Sequence, residues 1–278
     1  MWSRLWLVLA CLLAMSGSAV AQKQGGTLRV THRDNPPSAS VLEEVTISTL
    51  MPFMAVFNNL VVFDPDSREN RMDRVVSDLA TSWALTDDDH TLTFQLRDGV
   101  KWHDGKPFSS ADVKCTFDIL SGKVNAKLRK NPHKAWWFNI KDIATDGDNK
   151  VVFHLADPQP SIMAMFAGGF SPIYPCHVPA AEMRTHPIGT GPFKFVEFKQ
   201  NESIKLARNP DYWKPGRPYL DAIEYTIIPN RATMLLAMAT GKFDLTFTSD
   251  LTPELMKSEV RVRNADMESI LETLGLGE

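Results

Sequence analysis

Leu79-Ala80-Thr81-Ser82-Trp83-Ala84-Leu85 and Thr91-Leu92-Thr93-Phe94-Gln95-Leu96-Arg97, joined by Thr86-Asp87-Asp88-Asp89-His90, decide the fold class of this sequence. In the second run Leu92, Phe94 and Leu96 fall on one face, while Thr91, Thr93, Gln95 and Arg97 fall on the other. A period of two with one apolar face is the signature of an antiparallel hairpin, dry on one side and wet on the other. The Asp-rich link is its solvated tip. Asp98-Gly99 and Asp104-Gly105 then supply two turns around Val100-Lys101-Trp102-His103, at backbone positions that glycine tolerates. Ser109 or Ser110 can cap a following helix that runs through Asp112 to Leu120, with Gly122 just past its end. Val113, Phe117 and Leu120 form its apolar stripe.

Working toward the N-terminus, Thr27-Leu28-Arg29-Val30-Thr31 alternates as a strand after Gly25-Gly26, and Pro36-Pro37 marks a loop. Residues 49–60 read as helical, with Pro52 in the first turn. Val61-Val62-Phe63 is a strand closed by the turn Asp64-Pro65-Asp66. Toward the C-terminus, strands are expected at residues 151–155, 193–198, 203–207 and 223–228. A helix over 232–239 follows Asn230, and one more strand covers 243–247. The chain is therefore α/β, with antiparallel hairpins in the middle and no internal repeat.

The first residues carry a different signal. Arg4 precedes an apolar run over 5–15, and Ala19-Val20-Ala21 is a small-x-small cleavage site before Gln22. Residues 1–21 read as a signal peptide, which implies a periplasmic protein. A lipoprotein site at Cys11 would leave only residues 5–10 as the apolar core and is set aside. A formal charge of −3 over 278 residues gives no electrostatic reason to expect nucleic acid as a partner. Beyond the leader, Cys115 and Cys176 lie far apart in sequence and form no disulfide framework. Cys115 on the apolar side of its helix reads as a small buried hydrophobe, so unpaired thiols are expected.

Catalytic and metal chemistry leave little trace. Of the seven histidines, none forms a His-Glu-x-x-His or an i, i+4 pair, and Cys176-His177 with His186 lies beside loop prolines. Gly189-Thr190-Gly191-Pro192 resembles the start of a phosphate loop. It runs on into a strand, so the helix N-terminus that a phosphate needs is absent. No Gly-x-Ser-x-Gly elbow occurs. The expectation is no enzyme, no cofactor and no metal; convergent carboxylates of an exported hydrolase remain as an alternative that sequence does not exclude. Trp136-Trp137-Phe138 follows a basic stretch, and Phe170 and Tyr174 flank Ser171-Pro172. Aromatic residues beside polar turns suit either a binding cleft or core packing.

Three stretches together resemble the bacterial extracellular solute-binding proteins of family 5, the oligopeptide, dipeptide and nickel type. They are residues 79–113, then Pro187-Ile188-Gly189-Thr190-Gly191-Pro192-Phe193-Lys194-Phe195 with Arg208-Asn209-Pro210-Asp211-Tyr212-Trp213, and finally residues 218–229 with Gly241-Lys242-Phe243-Asp244-Leu245. The resemblance implies a type II periplasmic-binding-protein-like first lobe over 22–250, with a smaller β-rich subdomain inserted at about 50–170. Members of the family are roughly twice as long, so the second lobe is expected to be largely missing, and residues 251–278 to be a divergent tail. The implied function is the extracytoplasmic component of an ABC importer, a monomer that captures peptides or related small solutes. Its partners would be a membrane permease and cytoplasmic ATPases. A nonfunctional truncated fragment of such a protein is the alternative. Loop position and side-chain type nominate Asn35, Ser38, Asn58, Trp137, Phe170 and Ser171 as ligand contacts.

Overall fold

A computed structural model describes residues 24–86, 88–124 and 128–247. The signal-peptide reading over 1–21 and the tail reading over 251–278 lie outside the described residues.

Two four-stranded sheets organise the molecule. The first is built from β1 (Thr27–His32), β8 (Phe193–Lys199), β9 (Ser203–Arg208) and β10 (Ala222–Ile227), in the order β1-β10-β9-β8. Its one parallel pair joins the ends of the described chain, with Val30 opposite Tyr225. The second holds β4 (Ala80–Leu85), β5 (Thr91–Leu96), β6 (Ile140–Thr145) and β7 (Lys150–Leu155), all antiparallel in the order β4-β5-β7-β6. Between them, β2 (Val61–Phe63) and β3 (Val75–Ser77) make a short antiparallel ribbon.

The period-two pattern that predicts the hairpin is the reason the second sheet has a dry face. Leu92, Phe94 and Leu96 on β5 and Val151, Phe153 and Leu155 on β7 are all buried. α2 (Ser110–Leu120) lays Val113, Phe117 and Leu120 across β6 and β7. Its start is fixed by a capping box, in which the Asp112 carboxylate accepts the Ser109 N–H at 3.0 Å. Phe94, Phe117, Phe153 and Phe166 meet edge to face with centroids 5.0–5.8 Å apart, and Trp137 leans on Phe117 and Phe166. Phe166 comes from α3 (Ile162–Ala167), so this aromatic core binds five separate segments into one unit.

Several expectations are corrected. The helix at 49–60 is shorter and earlier: α1 spans Ile47–Phe53, gives way to a 3-10 turn at Met54–Val56, and holds Pro52 near its end rather than in its first turn. The polar pair Asn58-Asn59 leaves the helix instead: Asn58 donates to the Asp78 carboxylate, and Asn59 donates to the Phe166 and Gly168 carbonyls. β6 carries no clean alternation, and its strand register slips between Ile140 and Asp142, which is why the sequence pattern passed over it. Residues 243–247 form only an isolated bridge, Leu245 to Val30, instead of a strand. The helix before them, α4 (Arg231–Ala239), starts as expected with the Asn230 side chain accepting the Thr233 N–H at 2.9 Å.

The expectation of free thiols also fails. Cys115 is half-buried and forms a disulfide with Cys176, their Cα atoms 5.8 Å apart. The extended segment before Cys176 runs along α2. Tyr174 N–H donates to Thr116 Oγ1 at 3.0 Å, and Cys176 N–H donates to Asp112 Oδ1 at 2.8 Å. Those two bonds bring the sulfurs together, a juxtaposition that sequence spacing alone does not show.

Candidate functional site

The Gly189-Thr190-Gly191 stretch holds backbone instead of a phosphate. A Cβ on Gly191 would sit 2.5 Å from the Val56 carbonyl carbon, so only glycine permits this approach. Gly191 N–H donates to Val56 O at 2.9 Å. From the other side His103 grips the loop: its Nε2–H donates to Gly191 O at 3.0 Å, and its Nδ1 accepts the Gly189 N–H at 3.3 Å. Both ring nitrogens are thus used by the neutral imidazole. Burial is the main cause that drives the His103 pKa down to about 4, and Lys194 adds to it.

This packing presents Thr190 to Asn58, the hub of a buried polar network. Asn58 Oδ1 accepts from Thr190 Oγ1 at 3.2 Å and from Trp213 Nε1 at 3.3 Å. Its Nδ2 donates to the Asp78 carboxylate at 2.9 Å and to the Tyr212 hydroxyl at 3.2 Å. Asp78 is buried, accepts the Asn59 N–H at 3.1 Å and pairs with Lys214 Nζ at 2.6 Å. Burial raises the Tyr212 phenol to about 12, so it stays a neutral hydrogen-bond partner. Arg97 stacks over Trp213 at 4.6 Å and closes one flank.

Asn58, Asp78, Tyr212 and Lys214 line a cavity of about 600 Å³ whose remaining walls include Val41, Phe57, Phe63 and Pro172. Its volume lies within the range of small-molecule sites, and its mainly apolar lining with a few convergent polar groups suits binding. Among the described residues, no histidine, cysteine or serine lines it. Among the described residues, no group of three His, Cys, Asp or Glu side chains could hold a metal. Replacing Asn58 by Ala strands the Thr190, Asp78 and Tyr212 partners together and is expected to cost about 1–3 kcal/mol. Urea unfolding of wild type and variant reads that difference directly.

The six nominated residues separate. Asn58 reaches the cavity. Phe170 lines a second, more apolar cavity with Trp136, and Gly168 borders both. Asn35 is half-buried and spends its Oδ1 on the Asn201 N–H at 2.7 Å. Ser38 is buried and donates to the Glu44 carboxylate at 3.2 Å. Ser171 is buried with its hydroxyl on Met165 O at 2.6 Å. Trp137 is corrected from cleft to core: it is fully buried between Phe117 and Phe166, because its neighbours Trp136 and Phe138 take the outward positions. Sequence reasoning missed Asp78, Tyr212 and Lys214 as site residues. Tyr212 lies within the Asn-Pro-Asp-Tyr-Trp stretch already singled out, which was the available signal.

Comparison with known proteins agrees with this architecture. The family described as bacterial extracellular solute-binding proteins, family 5 Middle, matches residues 74–269. A Brucella ovis relative, named as an ABC transporter peptide-binding protein, is 31% identical over 223 residues, covering 76% of this chain and 40% of its own. The glutathione-binding protein GsiB of Escherichia coli O157:H7 is 31% identical over 175 residues, 61% of this chain and 33% of the relative. The periplasmic binding protein DppA from Helicobacter pylori, solved with the peptide STSA, superposes with a TM-score of 0.72 at 27% identity. That match covers 81% of this chain and 47% of DppA. The oligopeptide-binding protein AppA from Bacillus subtilis, solved with a nonapeptide, gives 0.71 at 28% identity, over 81% and 44% of the two chains.

The fold is thus the mixed α/β lobe of a periplasmic binding protein. This chain belongs to family 5 of the bacterial extracellular solute-binding proteins. It spans less than half the length of these relatives. Among the described residues no helix is long and apolar enough to cross a membrane.

Proposed function

We propose that this chain contributes the substrate-binding role of an ABC importer, capturing peptides or related small solutes outside the cytoplasm for a membrane permease. The observation that carries this reading is the family match across residues 74–269, and the concave site at Asn58 and Asp78 supports it. Relatives named for peptides and for glutathione share a backbone-like amide chemistry, which sets peptides as the first class to test. Residues 22–250 as one lobe, with a smaller subdomain inserted at about 50–170, are part of the same proposal. Two sheets built from separate chain stretches support it.

The test is thermal unfolding of the 278-residue protein, alone and with a mixed peptide pool. A ligand at a hundred times its Kd stabilises by about 2.7 kcal/mol, an upward shift of several degrees. A cooperative transition that ignores every peptide would remove the reading for this chain.

A further inference from the structure

The polar groups on the wall of the Asn58 cavity divide into those already spent and those still open. Asp78 is the one carboxylate among the described lining residues, and both of its oxygens are taken. Oδ1 accepts from Asn58 Nδ2 at 3.2 Å and pairs with Lys214 Nζ at 2.6 Å. Oδ2 accepts from Asn58 Nδ2 at 2.9 Å and from the Asn59 N–H at 3.1 Å. Asn58 is spent as well, its Oδ1 on Thr190 and Trp213 and its Nδ2 on Asp78 and Tyr212.

Three groups keep capacity. The Tyr212 hydroxyl accepts from Asn58 Nδ2, and its own hydrogen has no acceptor among the described residues. Lys214 Nζ carries three donors. It gives one to Asp78 and lies 4.8 Å from the Trp213 ring, which still leaves an N–H on a side chain 38% exposed. Asn59 gives its Nδ2 to the Phe166 and Gly168 carbonyls at 3.3 and 2.7 Å, and its Oδ1 accepts from no described residue. All three belong to side chains that line the cavity and that bond to Asp78 or to its partner Asn58. Open donors beside a neutral open acceptor match the C=O and N–H of an amide. A free ammonium finds no open carboxylate there, meets the Lys214 charge, and loses hydration against walls such as Val41, Phe57 and Phe63.

We infer that this cavity holds an uncharged residue of a peptide, interior or end-blocked, and excludes a free amino terminus. The residue's carbonyl oxygen takes the Tyr212 O–H and the Lys214 N–H, its amide N–H goes to Asn59 Oδ1, and its apolar side chain packs on Phe57 and Phe63. The inference rests on the peptide-binding reading and adds which part of the peptide enters. Tyr212 and Asn59 then determine specificity, while Asn58 and Asp78 position them.

The test uses the 278-residue protein with N-acetyl-leucyl-leucinamide and leucyl-leucinamide, which differ only at the amino end, and reads binding by calorimetry. At pH 6 the blocked peptide is expected to bind at least tenfold more tightly. At pH 9.5 the free amine, whose ordinary pKa is about 8, is discharged, and the gap should fall to about threefold or less. Tyr212, pushed up to about 12 by burial, keeps its hydrogen throughout. Tyr212→Phe should weaken the blocked peptide about tenfold at pH 6 and leave the free-amine peptide nearly unchanged. A loss shared equally by both peptides would reduce Tyr212 to a structural role and overturn the assignment. Equal wild-type affinities at pH 6, or tighter binding of the free amine, overturn it without any variant. Binding of neither dipeptide, while a mixed peptide pool still raises the unfolding temperature, overturns it and leaves the peptide-binding reading standing. Silence from both dipeptides and from the pool removes both.

Discussion

Serine at positions 115 and 176 is expected to lower the unfolding free energy by about 2–4 kcal/mol, because the bridge closes a 61-residue span of chain. A loop of that size restricts the unfolded ensemble more than the folded one, which is where most of the stabilisation arises in the chain-entropy account. The native geometry does not depend on the bond alone. The Asp112 and Thr116 bonds to Cys176 and Tyr174 hold the same register. The double variant should therefore still fold, with an earlier urea midpoint and an unchanged slope. Reductant should move wild type to the variant's midpoint and leave the variant where it is. A wild-type midpoint indifferent to reductant would show that the thiols are not paired.

The second large effect is acid sensitivity through His103. Its folded pKa of about 4 lies below the ordinary value of 6.5, so the unfolded chain takes up the proton first as pH falls. Stability from this group is complete above pH 6.5 and drains away as pH drops toward 4. The loss is about 2 kcal/mol by pH 5 and about 3 kcal/mol by pH 4. Protonation would turn Nδ1 from acceptor to donor and break the bond from the Gly189 N–H, loosening the contact with Val56. His103→Gln should be less stable than wild type at pH 7.5, and the gap should narrow as pH approaches 4. Parallel stability curves for the two proteins would mean that His103 titrates normally and that the loop is held by glycine packing alone.

The polar network explains why such a loop matters. Asn58, Asp78, Thr190 and the Tyr212–Lys214 pair come from four stretches of chain, and the fit of Gly191 against Val56 sets the position of Thr190. A shift of that loop would misplace the Asn58 side chain, which also lines the larger cavity. Site geometry and fold stability are coupled through the same atoms.

Local pattern determined a good part of this protein. The alternation in residues 91–97, the turn glycines at 99 and 105, the Ser109 cap and the Asn230 cap all act within a few residues, so they were legible before any tertiary contact was known. The family resemblance in residues 79–113 and 187–213 was legible for the same reason: close packing and tight turns fix residue type at fixed spacing. Asn58 could be nominated, but not its partners. The pairing of Cys115 with Cys176, the burial of Trp137 beside an exposed Trp136, and the meeting of Glu44 with Arg129 each join residues dozens of positions apart. Only tertiary structure decided those. Burial and hydrogen-bond satisfaction are settled by what packs against a side chain, and that neighbour is supplied by chain closure rather than by sequence proximity.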